Sequence, residues 1–221
     1  MGVTFEGGDR QSTRKRKAIV EAATSTFLQK GYLGTSMDEI AALAGVSKQT
    51  VYKHFADKEQ LFFQVVTTTV NEASDPVYAE VLQLRDSGDL EADLRDLARR
   101  QLTLVLQPKL MQLRRLVIAE SSRFPELGGA FYERGPGRTI AALAATFERL
   151  AACGVLAVED ANLAASQFNW LVMSAPLNQA MLLGRDDGMS KRELDRHADE
   201  GVRTFLAAYG TRKGRASTST R

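Results

Sequence analysis

The stretch TSMDEIAALAGVSKQTVYKHFADKEQLF, residues 35 to 62, decides how this chain folds. Its apolar residues are spaced to form one small core between two short helices that cross through a glycine turn. These apolar residues are Ile40, Ala44, Val46, Val51 and Phe55. Six polar residues are left outside that core: Lys48, Gln49, Thr50, Tyr52, Lys53 and His54. The pattern predicts a helix-turn-helix whose second helix presents a polar face.

Capping residues divide this stretch into its elements. Ser36 and Glu39 have the spacing of a capping box, which predicts a helix start after Ser36. Gly45 is placed to end that helix, and Ser47 and Asp57 are placed to cap the next two. Four helix starts are therefore predicted within about the first 60 residues of the chain.

The polar face of the second helix has the chemistry of a DNA reader. Lysines and hydroxyls can hold phosphates, and Gln49 and Thr50 carry donors and acceptors that can read base edges in the major groove. The alternative is a solvated polar face on a packing helix. Two narrower alternatives also stay open, with Tyr52 as a partly buried packing residue and Gln49 as an ordinary surface residue.

Charge is distributed unevenly along the chain, although the formal net charge is only +2. From Arg10 to Lys58, nine Lys or Arg residues stand against four acidic residues, so this segment carries +5 and the rest carries −3. A basic segment on a mildly acidic body suggests that only the segment meets a polyanion. The run from Arg14 to Lys17 is either a basic arm for DNA or simply solvated charge.

At this point the sequence resembles the TetR/AcrR family of transcriptional regulators. The resemblance is carried by a short series of motifs along about a quarter of the chain: Gly31-Tyr32, Thr35-Ser36, Gly45-Val46-Ser47, Thr50-Val51-Tyr52, His54-Phe55 and Asp57-Lys58-Glu59-Gln60-Leu61. The later segment RFPEL, Arg123 to Leu127, is similar to the AefR-like branch of that family.

The resemblance implies roles for particular residues. Five of them would hold phosphates: Thr35, Ser36, Tyr52, His54 and Lys58. Lys48 and Thr50 would lie at the groove, whereas base reading by Gln49 follows from its chemistry because many relatives have a small residue there. The resemblance also implies a homodimer that joins through its last two long helices, encloses a small-molecule cavity and binds operator DNA. Ligand binding would change the separation of the two DNA-reading heads.

Apolar spacings of three and four recur along the remaining sequence, which predicts an all-α fold. An N-terminal three-helix helix-turn-helix domain, residues 12–58, is expected to precede a larger ligand-binding and dimerisation bundle, residues 59–209. The first helix is predicted from about Ser12 to Lys30, ended by Gly31. The polar termini, residues 1–11 and 210–221, are expected to be disordered.

Aromatic and thioether side chains supply candidates for the effector cavity. Four residues are proposed as lining: Phe131, Phe147, Trp170 and Met173. Ordinary packing in the core or the dimer interface is the competing interpretation for each of them.

Several function classes are disfavoured by what the sequence lacks. It shows no membrane-span pattern and no signal-peptide pattern, so a cytoplasmic protein without a membrane partner is expected. Cys153 is the single cysteine, and the two histidines are far apart in sequence, so neither a metal site nor a cofactor is expected. Since no catalytic motif is evident, an enzyme is not expected. The alternative function is an architectural or cell-division DNA-binding protein without an effector.

Overall fold

The computed structural model describes residues 6–84, 88–183 and 189–211, and these form an all-α protein, as predicted. The helices are α1 Glu6–Lys30, α2 Met37–Leu43, α3 Lys48–His54, α4 Lys58–Gln83, α5 Leu90–Val105, α6 Pro108–Glu120, α7 Pro125–Tyr132, α8 Arg138–Ala152, α9 Ala161–Leu183 and α10 Lys191–Tyr209. A π-helical segment, Glu133–Gly137, connects α7 to α8 along the chain. No helix in these three ranges is long and apolar enough to cross a membrane.

Residues 6–11 and 210–211, the described parts of the two termini that are predicted to be disordered, have a defined backbone conformation. Helix α1 begins at Glu6, ahead of the predicted start at Ser12. At the other end Gly210 donates to the carbonyl of Leu206, and the Thr211 hydroxyl donates to the carbonyl of Gly154 at 2.8 Å. Residues 1–5 and 212–221 lie outside the described residues.

Glycines and side-chain caps end and begin the short N-terminal helices, as the sequence predicts. Gly31 and Gly45 have φ of +71° and +65°, a left-handed conformation that suits the residue after a helix. The hydroxyl of Ser47 accepts from the backbone N–H of Thr50 at the start of α3, and Asp57 Oδ1 accepts from that of Gln60 at the start of α4. These contacts fix the boundaries of the helix-turn-helix.

Prolines occupy two kinds of position in the α-helices. Pro108 and Pro125 occupy the first positions of α6 and α7, where a missing N–H costs nothing. Pro76 and Pro176 lie inside α4 and α9, and both helices continue through them. Helix α4 therefore continues unbroken from Lys58 to Gln83.

The chain divides into two compact units. The first unit contains Met1–Thr69 and Gln112–Phe131, so it extends beyond the predicted domain of residues 12–58. Aromatic rings explain the extension: Phe124 lies 4.8 Å from Tyr32 and 6.4 Å from Phe62, measured between ring centroids. Long-range contacts of this kind leave no local periodicity in the sequence.

The second unit contains Val70–Met111 and Tyr132–Arg221. Its core is built around three fully buried phenylalanines, Phe147, Phe168 and Phe205, whose ring centroids are 4.9 to 5.9 Å apart. One buried polar pair interrupts this core, in which Gln101 on α5 donates to Asn169 on α9 at 2.8 Å.

Candidate nucleic-acid interface

The helix-turn-helix is held by a small apolar core beneath α2 and α3. Ile40 and Val51 are fully buried and Phe55 is 2% exposed, whereas Ala44 and Val46 are only partly buried beside the turn. The buried positions fix how α3 is rotated about its axis. The polar residues between them must therefore face outward.

The outward face of α3 contains most of the residues predicted from the sequence. Lys48, Gln49, Tyr52 and Lys53 are exposed, while Thr50 and His54 are partly buried. Tyr52 is 45% exposed, which favours the surface role over the packing role for its ring. The Thr50 and Ser47 hydroxyls lie 2.8 Å apart, so Thr50 supports the cap of α3 as well as facing outward.

Lys48, the first residue of α3, is paired with an acidic residue that the sequence analysis did not include. Its Nζ lies 2.8 Å from Oδ1 and 3.0 Å from Oδ2 of Asp38 on α2, and both side chains are exposed. The hydrogen bond to Asp38 raises the pKa of Lys48, so the ammonium stays charged. Asp38 and Lys48 are ten residues apart on different helices, and no local spacing signals such a pair.

Thr35 and Ser36 hold the loop ahead of α2 together. The Thr35 side chain is buried and its hydroxyl donates to the carbonyl of Gly31 at 2.7 Å, so this hydroxyl is already used inside the protein. The Ser36 hydroxyl accepts from the backbone N–H of Glu39, while the Glu39 carboxylate pairs with Lys30. The structure thus gives both residues structural roles, in addition to the phosphate contacts that the family resemblance implies.

Lys58 forms hydrogen bonds with the loop that precedes α2. Its ammonium donates to the backbone carbonyls of Tyr32 and Thr35, both at 2.9 Å, and lies 4.4 Å from the centroid of the Tyr32 ring. To bind a phosphate, the ammonium would have to give up its contacts with two carbonyls and an aromatic ring. This geometry favours Lys58 as a positioning residue for the loop, in place of the phosphate role predicted from the resemblance.

The basic run of α1 lies beside the end of α3 within the same unit. Arg16 donates to Oε1 of Gln64 at 2.6 Å, and its guanidinium carbon lies 5.1 Å from the centroid of the Phe55 ring. Arg14, Lys15 and Lys17 are exposed on the same helical turns, with Lys17 3.8 Å from Glu21. Arg16 thus connects α1 to the C-terminal end of α3, and three further exposed cations lie on the same turns of α1.

The four residues predicted to line an effector cavity do not form one group. Phe131 belongs to the first unit, where it is buried beneath the guanidinium of Arg114. Phe147 and Met173 are buried in the second unit, and Phe147 packs on Phe168 and Phe205 as an ordinary core residue does. Trp170 is 38% exposed on α9. Lining of one cavity by these residues stays a prediction.

Two family models match this chain. Residues 19–65 match the model described as bacterial regulatory proteins of the tetR family, and residues 92–211 match the C-terminal domain of AefR-like transcriptional repressors. The second match alone covers more than half of the chain. Together the two include the helix-turn-helix and most of the second unit.

Solved structures extend this similarity over nearly the whole chain. A TetR-family transcriptional regulator from Mesorhizobium loti MAFF303099 is 45% identical, with a TM-score of 0.86 over 90% of this chain and 98% of that one. The flavonoid-responsive regulator FrrA is 35% identical, with a TM-score of 0.70 over 90% of this chain and 99% of that one.

Curated relatives match only part of this chain and part of their own length. The HTH-type transcriptional regulator YhgD of Bacillus subtilis (strain 168), itself uncharacterised, is 48% identical over 61 residues, which are 28% of this chain and 32% of YhgD. The match spans only about a third of that relative, a region the size of a DNA-binding domain.

Proposed function

Because this chain belongs to the TetR family of bacterial transcriptional regulators, we propose that it represses transcription by binding a near-palindromic operator and releases it when a small effector binds. The observation that carries the DNA-binding part is the outward polar face of α3, held in place by the buried Ile40 and Val51. It would act in the cytoplasm, where DNA is accessible, without catalytic activity of its own.

The proposed contacts with DNA divide into two groups. Lys48, Tyr52, Lys53 and His54 hold phosphates and set the register of α3, and the backbone around Ser36 supports them. Gln49, near the start of α3, reads a base edge, with Thr50 beside it. The exposed cations of α1 add sequence-independent attraction for the backbone.

The proposed partner in solution is a second copy of the chain. On α9 the exposed side of the helix carries Leu163, Trp170 and Leu171, which are 52%, 38% and 36% exposed. Large apolar residues grouped on one exposed helix face are typical of a surface that a partner covers. A two-fold dimer would present two copies of α3 to two half-sites of one operator.

The proposed effector is a small, mostly apolar molecule. FrrA, similar over almost its whole length, is flavonoid-responsive by name, and a flavonoid is a small aromatic compound. Buried apolar side chains of the proposed ligand-binding domain, residues 59–209, suit such a molecule.

Enrichment of sheared genomic DNA on the immobilised protein, followed by sequencing, tests this proposal. We expect a small number of strong sites that share an inverted repeat. The double variant K48A/K53A should lose these sites, whereas K191A/R192A, which removes two positive charges from α10, should keep them. Many sites without a common motif would instead support the architectural alternative.

A further inference from the structure

Arg114 on α6 is a partly buried arginine without an acidic partner among the described residues. Its Nε is buried and has no hydrogen-bond partner there. Burial alone lowers the pKa of Arg114, with no carboxylate acting against it. Arg99 differs in this respect, since its guanidinium lies 2.7 Å from the carboxylate of Asp199. Arg138 likewise has Asp75 as a partner.

The ring of Phe131 makes a cation–π contact with the Arg114 guanidinium. The guanidinium carbon of Arg114 lies 5.0 Å from the centroid of the buried Phe131 ring on α7. Helical spacing places Val117 on the same side of α6 as Arg114, and Leu127 on the same side of α7 as Phe131. Both of these residues are buried. The guanidinium therefore belongs to an apolar environment within the first unit.

Burying part of a guanidinium costs free energy, because the buried part has lost water without gaining an anion among the described residues. The ring offsets only part of that loss. Such costs are commonly retained where a ligand needs the group. A guanidinium presents paired N–H donors that match the oxygens of a carboxylate or sulfonate, and its flat face and the ring beside it suit an apolar body.

We propose that Arg114 binds the anionic group of the effector, with Phe131 contacting the adjoining apolar part. The effector would then be an organic anion with an aromatic or aliphatic body, not a neutral hydrocarbon-like compound. This inference rests on the proposed function, in which an effector binds the protein, and it specifies the charge of that effector.

Two fluorescent dyes of nearly equal shape provide the test. 1-Anilinonaphthalene-8-sulfonate carries a sulfonate, and N-phenyl-1-naphthylamine is its neutral analogue. The full-length protein should bind the sulfonate dye saturably. The R114M variant, which keeps an apolar side chain of similar length, should weaken sulfonate binding by about tenfold or more and leave the neutral dye unchanged. R114K should restore part of the sulfonate binding, because it restores the charge.

R138M is the matched control, since Arg138 also lies over an aromatic ring, 4.3 Å from the Tyr78 centroid, but has an acidic partner. It should leave the binding ratio of the two dyes unchanged. Thermal unfolding separates a ligand role from a structural one: R114M should unfold at the same or a higher temperature than the wild type.

Three results would overturn the proposal. They are no saturable binding of the sulfonate dye by the wild type, unchanged binding of both dyes by R114M, or equal weakening of both dyes in R114M. If the wild type bound only the neutral dye, the effector would be a neutral compound and the proposal would be wrong. Failure of the proposed function itself would appear separately, as loss of specific genomic sites in the enrichment experiment.

Discussion

Lys48 Nζ lies 2.8 Å from Oδ1 of Asp38, so the first residue of α3 is ion-paired in the DNA-free protein. Both side chains are more than half exposed, and such a surface pair contributes little to stability. Its consequence concerns binding, because a phosphate must compete with the carboxylate for the same ammonium. Asp38 therefore opposes any contact that Lys48 makes with DNA, whatever the base sequence.

The first prediction concerns this competition. K48A should weaken binding to all duplexes alike and reduce the salt slope of a dimer by about two, at roughly 0.9 per phosphate contact. D38N should strengthen binding to a random-sequence duplex, because it frees Lys48 and removes a repelling charge. Fluorescence anisotropy at several salt concentrations measures both effects. E39Q is the control, since Glu39 pairs with Lys30 instead. A salt slope that K48A leaves unchanged would exclude a phosphate contact by Lys48.

The second prediction concerns base reading. If Gln49 reads adenine, Q49A should cost about 1 to 3 kcal/mol per half-site and relax the preference at one operator position. Competition binding with operators that differ at single positions measures this. Loss of affinity by the same factor for every operator would argue against base reading.

The third prediction separates positioning from phosphate binding at Lys58. K58M should destabilise the protein by about 1.5 to 3 kcal/mol, because the part-buried carbonyls of Tyr32 and Thr35 lose a charged donor. Urea unfolding measures this loss. DNA binding should weaken through the displaced loop while the salt slope stays unchanged. A reduced slope with unchanged stability would instead identify Lys58 as a phosphate contact.

The fourth prediction concerns pH. Hydrogen bonds from the hydroxyl and backbone N–H of Ser190 lower the pKa of Glu193 at the start of α10, so the folded state favours its charged form. The stabilisation is therefore present above the unfolded-state pKa, about 4.3, and is lost as pH falls through the lower folded-state pKa. The difference in unfolding free energy between wild type and E193Q, measured in urea, should be full at pH 7 and shrink progressively as pH falls below about 4.3. A difference that stays constant with pH would contradict this.

The fifth prediction concerns self-association. A charged residue on the exposed apolar side of α9 should prevent the proposed dimer, so W170E should sediment as a monomer at concentrations where the wild type is a dimer. L43E is the control, because Leu43 is a 61% exposed apolar residue on α2. A dimeric W170E protein would place the interface elsewhere.

The sequence was most informative where the signal is local. Gly45, Ser47 and Asp57 fix helix ends through contacts within a few residues, so the helix-turn-helix and its exposed face could be predicted. Pairings across the chain could not, because no periodicity links Lys48 to Asp38 or Lys58 to Tyr32. The role of Lys58 was therefore predicted differently from what the structure favours.

The candidate effector residues show the same limit. Phe131, Phe147, Trp170 and Met173 were selected for their chemistry, yet one lies in a different compact unit and another is substantially exposed. Hydrophobic spacing identifies residues that pack, but it does not distinguish a cavity wall from a filled core. Arg114 has no acidic partner in the part of the chain that the structure describes, and no sequence pattern signals this, because burial and the distance to a carboxylate are three-dimensional properties.

Selection of bound duplexes from a random DNA pool by the purified protein tests the central claim most directly, because the recovered motif reports on α3, the dimer and its register together. A DNA-reading dimer should recover an inverted repeat whose half-sites are about one helical turn apart. Recovery of no motif, with all binding lost at modest salt, would show only non-specific affinity and contradict the account.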